Sequence, residues 1–263
     1  PFNLEGLAED HINLWQTLCW LFVRDDFDNV FKDWNFIFVP YCTADVHIGY
    51  SLNDYETSTG DPFQIYHYGY ENLMAVERFI DDNFNHIGKL VLSGSSAGGF
   101  GSLLASFHFR DHLDQVQQFY VLSDSGPVIS EDANLVGNEF AAIMEDFYPD
   151  VFGSWGVDDI IDSLGLRGDI PDDYGLFYDW LADRYPGDRF AIPIFQRDYN
   201  VSRFIIEPYV EDDSKENVLR IFNEGLAGIR QITDSKSNMH YYMPYFRGVN
   251  DSHCLTIFGS DDT

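Results

Sequence analysis

Gly88-Lys-Leu-Val-Leu-Ser-Gly-Ser-Ser-Ala-Gly-Gly99 runs an apolar strand-like segment straight into a glycine-flanked serine, with helix-like sequence behind it. Gly94-Ser95-Ser96-Ala97-Gly98 is the G-x-S-x-G arrangement in the strand–turn–helix setting that a nucleophile elbow requires. A serine hydroxyl is a weak nucleophile, so it must stand on a tight turn where a histidine can reach it. Gly94 and Gly98 are expected to give the backbone room for that turn. The Ala97 N–H, at the start of the following helix, then points toward the site of a developing oxyanion. A Gly/Ser-rich βα turn without chemistry is the plainer reading. The order strand, elbow, helix argues against it.

Outward from the elbow, strand and helix patterns alternate. Trp34–Pro40 reads as a buried strand and Tyr41–Tyr66 as loop. Leu73, Val76, Phe79 and Ile80 space a helix over about 70–83. The elbow strand covers about 89–93 and its helix 98–108; a further strand covers 119–123. Residues 127–187 break the alternation with short helical patterns around 138–147 and 174–184, and are expected to form a helical cap over the site. Strands at 190–195 and 240–246 flank a helix at 218–232, and another helix-like stretch covers 11–23. Alternation of this kind predicts one α/β domain over 1–263, with a doubly wound, mostly parallel sheet.

The 263 residues suffice for one full core, and a 45% hydrophobic share with 17% aromatics excludes global disorder. No apolar run approaches the ~20 residues of a membrane span. No leader pattern is visible and the first residue is Pro1, so the sequence reads as a processed or truncated product whose compartment is left open. Asp and Glu number 44 against 15 Lys and Arg, for a net charge of −29. That balance excludes a nucleic-acid partner, repels anionic membranes and suits a salty medium. The acidic groups Asp172-Asp173 and Glu211-Asp212-Asp213 lack EF-hand spacing and read as solvated surface. Cys19, Cys42 and Cys254 form no C-x-x-C pair. One disulfide plus one free thiol is an open arrangement, with the pairing undetermined. The eight histidines show no metal-binding spacing, and neither metal nor cofactor is expected.

An α/β-hydrolase orders its triad as Ser, then acid, then His, each after a strand. Ser96, Asp198 and His253 satisfy that order. His253 would take the Ser96 proton and return it to the leaving alcohol, and Asp198 would fix the imidazole tautomer. Asp124, also at a strand end, is the alternative acid; its Asp-Ser-Gly turn reads equally as a structural Asx-turn. Asp45, His47 and Tyr199 are candidate pocket residues. Structural roles compete for each of them, as they do for His67 and Asn72.

Several segments together resemble the pectin acetylesterase/Notum family of serine hydrolases, in particular its bacterial branch. They are Val39-Pro-Tyr-Cys-Thr-Ala-Asp-Val-His-Ile-Gly49, Ser93-Gly-Ser-Ser-Ala-Gly-Gly-Phe-Gly101, Asp124-Ser-Gly126 and His253-Cys254, with Tyr66-His-Tyr-Gly69 and Asn72 ahead of the elbow. The resemblance spans about residues 30–255. It implies an α/β-hydrolase-like fold, no cofactor, an ester substrate that is a small molecule or a carbohydrate, and a place outside the cytoplasm or in the periplasm. It also implies the triad Ser96, Asp198 and His253. Ala44 departs from the family, which usually has Gly there. The family's Gly-rich oxyanion stretch ahead of the Val39–Gly49 block is also missing; Leu18-Cys19-Trp20 resembles only its tail. Two explanations stand open. Either the N-terminal strands are missing from this chain, or its oxyanion hole is built differently. A catalytically defective pocket-bearing protein is the corresponding alternative function, since one oxyanion donor is typically worth about 10²–10³ in kcat.

Overall fold

The computed structural model describes residues 23–25, 27–248 and 250–257. Strands β1 (Ser51–Glu56) and β2 (Pro62–His67) form an antiparallel hairpin, with Ser51 opposite His67 and Glu56 opposite Pro62. The sequence reading placed loop here. The turn chemistry lies in Thr57–Asp61, where the Asp61 amide donates to the Thr57 hydroxyl and Gly60 takes a φ of 83°. Helix α1 (Gly69–Asn83) follows, with Leu73, Glu77 and Ile80 on its buried stripe.

The main sheet is formed by β3 (Ile87–Ser95), β4 (Val116–Asp124), β5 (Arg189–Pro193) and β6 (Met239–Tyr242), side by side in chain order and all parallel. The architecture is therefore α/β on a parallel sheet, as the alternation predicts. Among the described residues β3 pairs on one side only. Two helices, α2 (Ala97–Leu104) and α3 (Ser106–His112), connect β3 to β4. One helix was expected there. It breaks at Ala105, where the Ser106 hydroxyl bonds back to the Leu103 carbonyl at 2.6 Å and competes with the helical ladder.

Between β4 and β5 the chain forms α4 (Ala133–Val136), α5 (Asn138–Phe147), a π-helical turn (Tyr148–Gly153), α6 (Val157–Ser163) and α7 (Phe177–Arg184), with no strand of either sheet among them. Two buried tyrosines tie this stretch to the segment leaving β4. The Tyr148 hydroxyl donates to the Ile129 carbonyl and accepts its N–H, and the Tyr178 hydroxyl accepts the Val128 N–H. Helices α8 (Tyr199–Ile206) and α9 (Lys215–Asp234) then lead to β6. Val218, Phe222, Leu226 and Ile229 line the buried face of α9, and Gly225 lets the Phe140 ring of α5 approach. The core packs Leu103, Phe119, Phe140, Tyr178 and Phe222, each at 0–1% exposure.

Two further expectations need correction. Trp34–Pro40 belongs to neither sheet, and Ile37 and Phe38 are each more than 40% exposed. An apolar segment becomes a strand only against a partner ladder, and none of the described strands lies against this one. The last strand ends at Tyr242 rather than Phe246; Pro244 has no N–H to return a bond to the neighbouring segment, although its carbonyl still accepts the Gln196 N–H. Most of the helix expected over 11–23 lies outside the described residues. No helix among the described residues is long and apolar enough to cross a membrane.

Candidate active site

Ser96 sits between β3 and α2 at φ 57°, ψ −120°, a conformation that L-residues rarely adopt and that the surroundings must enforce. Its N–H donates to the Asp124 carbonyl at 2.8 Å, and its own carbonyl accepts Gly99 N and Phe100 N. A Cβ on Gly94 would stand 2.2 Å from the Gly98 carbonyl oxygen, so the strand folds back onto the helix with no room for a side chain. Gly98, also expected to be needed for room, has open space around its Cβ direction. Gly99 is also tight, since a Cβ there would stand 2.5 Å from the Asp124 carbonyl oxygen, and a Cβ on Gly126 would stand 2.1 Å from Phe100 N. The elbow therefore rests backbone-on-backbone against the Asp124-Ser-Gly turn. Ala97 opens α2, so its amide is among those that lack an intrahelical acceptor.

Asp198 and His253 are brought together. The His253 Nδ1 stands 2.9 Å from both carboxylate oxygens of Asp198. Asp198 is fully buried at the N-cap of α8, where Oδ1 also accepts the Val201 N–H. The His253 side chain keeps 12% exposure. Its neighbour Cys254 is buried, and desolvation pushes that thiol well above its usual range. Cys42 is exposed and does not pair with Cys254; Cys19 lies outside the described residues.

Asp124, the alternative acid, directs its carboxylate elsewhere. Oδ1 accepts Leu255 N at 2.9 Å, and Oδ2 accepts both Thr256 N and the Thr256 hydroxyl at 2.7 Å. Asp45, a pocket candidate, is 0% exposed and accepts from the Thr43 hydroxyl and from the amides of His47, Gly49 and Gly69. Around it Ala44, Val46 and His47 all have φ between 48° and 67°. His47 packs against Tyr41, with ring centroids 4.9 Å apart, and burial lowers its pKa. Tyr199 lies beneath the Lys215 ammonium, 4.5 Å from its ring centroid. His67 bridges the Thr43 carbonyl and the Tyr55 hydroxyl, each at 2.8 Å. A groove of about 410 Å³ beside α5, lined by Glu139, Asp146, Tyr209 and Asp212, contains none of the candidate residues.

Arg247 and Thr256, and the part that Ser125 plays, escaped the sequence reading: Arg247 and Ser125 bond to the segment around His253, and Thr256 ties that segment to Asp124. The signal available was slight: one of 15 basic residues, six positions ahead of a candidate histidine.

Comparison with known proteins finds similarity over part of the chain. Pectin acetylesterase 4 and pectin acetylesterase 5 of Arabidopsis thaliana are 26% and 27% identical to it over 135 and 136 residues. Each match takes in half of this chain but only 31% and 29% of the relative, so the chain aligns with about a third of the length of these relatives. Among solved structures, the Wnt deacylase Notum from Drosophila is similar over 83% of this chain and 59% of its own, at 20% identity and a TM-score of 0.46. The pectinacetylesterase family profile matches residues 15–156, a span that includes the Asp45 loop, the hairpin and the elbow and stops short of Asp198 and His253. With more than half its residues inside that match, the chain belongs to the pectinacetylesterase family.

Proposed function

We propose that the chain is a serine esterase that removes an acyl group from an esterified carbohydrate or a similar ester outside the cytoplasm. The observation that carries this reading is the strained Ser96 elbow in the same molecule as an Asp198–His253 hydrogen bond. Ser96 attacks the acyl carbon as His253 takes its proton. Asp198 holds the imidazole with Nδ1–H facing the carboxylate and so stabilises the imidazolium. The Ala97 amide, at the positive end of α2, donates to the oxyanion. The alcohol leaves with the proton from His253, and water repeats the sequence on the acyl-enzyme. No step needs a metal or cofactor. With a net charge of −29, the protein favours neutral or heavily esterified chains over free polyuronates, which it would repel at low salt.

The test is hydrolysis of p-nitrophenyl acetate through octanoate by the chain and its Ser96→Ala variant, beside covalent labelling by a fluorophosphonate. Turnover and labelling that both vanish in Ser96→Ala, with an unchanged melting temperature, are expected. Turnover that persists in the variant, or a well-folded wild type that neither turns over nor labels, overturns the reading.

A further inference from the structure

The segment carrying His253 is gripped from two sides by buried charges. On one side, the Asp124 carboxylate accepts the Leu255 and Thr256 amides and the Thr256 hydroxyl, while Ser125 Oγ accepts the Cys254 amide at 3.1 Å and donates to Asp124. On the other, the Arg247 guanidinium donates to the carbonyls of His253 (3.2 Å), Cys254 (2.7 Å) and Leu255 (3.5 Å). Three successive peptide groups thus have their C=O ends drawn toward a cation; two of their N–H ends meet the Asp124 carboxylate and the third meets the Ser125 hydroxyl that donates to it. Charge-assisted bonds of this kind are about twice as strong as neutral ones. Asp124 and Ser125 are 0% exposed and Arg247 is 7% exposed.

The grip has something to hold. Asn250, Asp251, Ser252 and Cys254 all have φ between 49° and 60°. Four left-handed non-glycine residues so close together persist only where contacts over-determine them. The Ser252 hydroxyl contributes by donating to the Arg247 carbonyl and accepting its N–H.

Asp124 also reaches the nucleophile. Its carbonyl accepts the Ser96 amide, and the Thr256 hydroxyl that donates to its carboxylate lies 3.1 Å from the Ser95 hydroxyl. We infer that Asp124 and Arg247 are positioning residues that set the His253 segment against the Ser96 elbow, so that acid–base chemistry depends on a second carboxylate that never touches the imidazole. The inference rests on the esterase reading of the same site.

The experiment compares Asp124→Asn, Arg247→Lys and Thr256→Val with wild type. The readouts are steady-state kinetics on p-nitrophenyl acetate, the fluorophosphonate labelling rate, thermal melting, and the downfield proton resonance of the His253 Nδ1–H, identified by its loss in His253→Gln. Asp124→Asn keeps an oxygen acceptor but turns an NH₂ group toward amide donors. It is expected to lower kcat by 10²-fold or more, with KM within about threefold, and to shift or broaden the resonance. Arg247→Lys keeps the charge but loses the fork, and should lose kcat by about tenfold. Thr256→Val, which removes one hydroxyl, supplies a mild perturbation if the charge variants do not fold, and is expected to lower kcat severalfold while remaining folded. A purely structural role predicts lower melting temperatures with unchanged kcat per folded molecule and an unmoved resonance; that result overturns the inference. If wild type shows no Ser96-dependent turnover, the esterase reading fails, and the resonance in the variants still decides whether the clamp positions His253.

Discussion

Gly94 and Gly98 occupy the two glycine positions of one motif, and the structure predicts opposite effects when each becomes alanine. At Gly94 the new methyl would lie 2.2 Å from the Gly98 carbonyl oxygen and 2.3 Å from its carbonyl carbon. Ordinary carbon–oxygen contact needs at least about 3.2 Å, so strand and helix must part by roughly 1 Å. The obstacle is backbone, not a side chain that can rotate away. Overpacking of this kind costs about 1–3 kcal/mol or more, which for a chain of this size lowers the melting temperature by about 2–4 °C per kcal/mol. The displacement also tilts Ser96 off its elbow, so labelling by a fluorophosphonate should slow by at least tenfold. At Gly98 the methyl meets nothing within 4 Å among the described residues, and the position is inside α2. Alanine there raises helix propensity by up to about 1 kcal/mol, so Gly98→Ala should melt at the same temperature or a few degrees higher. Melting curves and labelling rates of the two variants, measured side by side, form the assay. Equal destabilisation of both, or a neutral Gly94→Ala, would refute the steric account of the elbow.

Two further outcomes follow from strain and from burial. Ala44→Gly removes a left-handed alanine at φ 51°; relief of about 1 kcal/mol or more, offset by up to ~1 kcal/mol of added unfolded-state entropy, predicts a melting temperature unchanged or raised by up to about 4 °C, and a drop would count against strain in the Asp45 loop. His108 is 7% exposed and its pKa is pushed down to about 4 by desolvation, with the nearby His112 adding to the effect and Asp111 opposing it. The unfolded chain takes up this proton first, so its contribution to stability is intact above pH 6.5 and is lost progressively as pH falls to about 4, by at most ~3 kcal/mol. Chemical denaturation of wild type and His108→Gln across that window should show a smaller acid loss in the variant, and parallel curves would sink the assignment.

The elbow was legible because its requirement is local: twelve consecutive residues carry the strand, the glycines and the serine. Helices with an unbroken apolar stripe, such as α5 and α9, were legible for the same reason. Asp198 and His253 could be proposed from chain order. Their hydrogen bond spans 55 positions and appears only in three dimensions. What escaped was decided by partners rather than by pattern. Trp34–Pro40 has strand composition without an adjacent ladder among the described residues, whereas β1 and β2, weakly apolar, pair because Thr57–Asp61 closes the turn. Asp124 offered two readings at its strand end. Bonds to residues 131 and 132 positions further on determine what its carboxylate holds.

One oxygen of Asp198 serves two masters. Oδ1 receives the His253 Nδ1 and caps the first turn of α8 through Val201 N. A carboxylate on a longer stem could satisfy the imidazole or the helix but would have to abandon one of them, so glutamate is a poor substitute at this position even though it carries the same charge. Drift at residue 198 is thereby restricted by the folding of a helix as well as by chemistry. A relative whose site did no chemistry would still meet a stability barrier to losing this aspartate, so its persistence there would be no proof that the relative is an active enzyme.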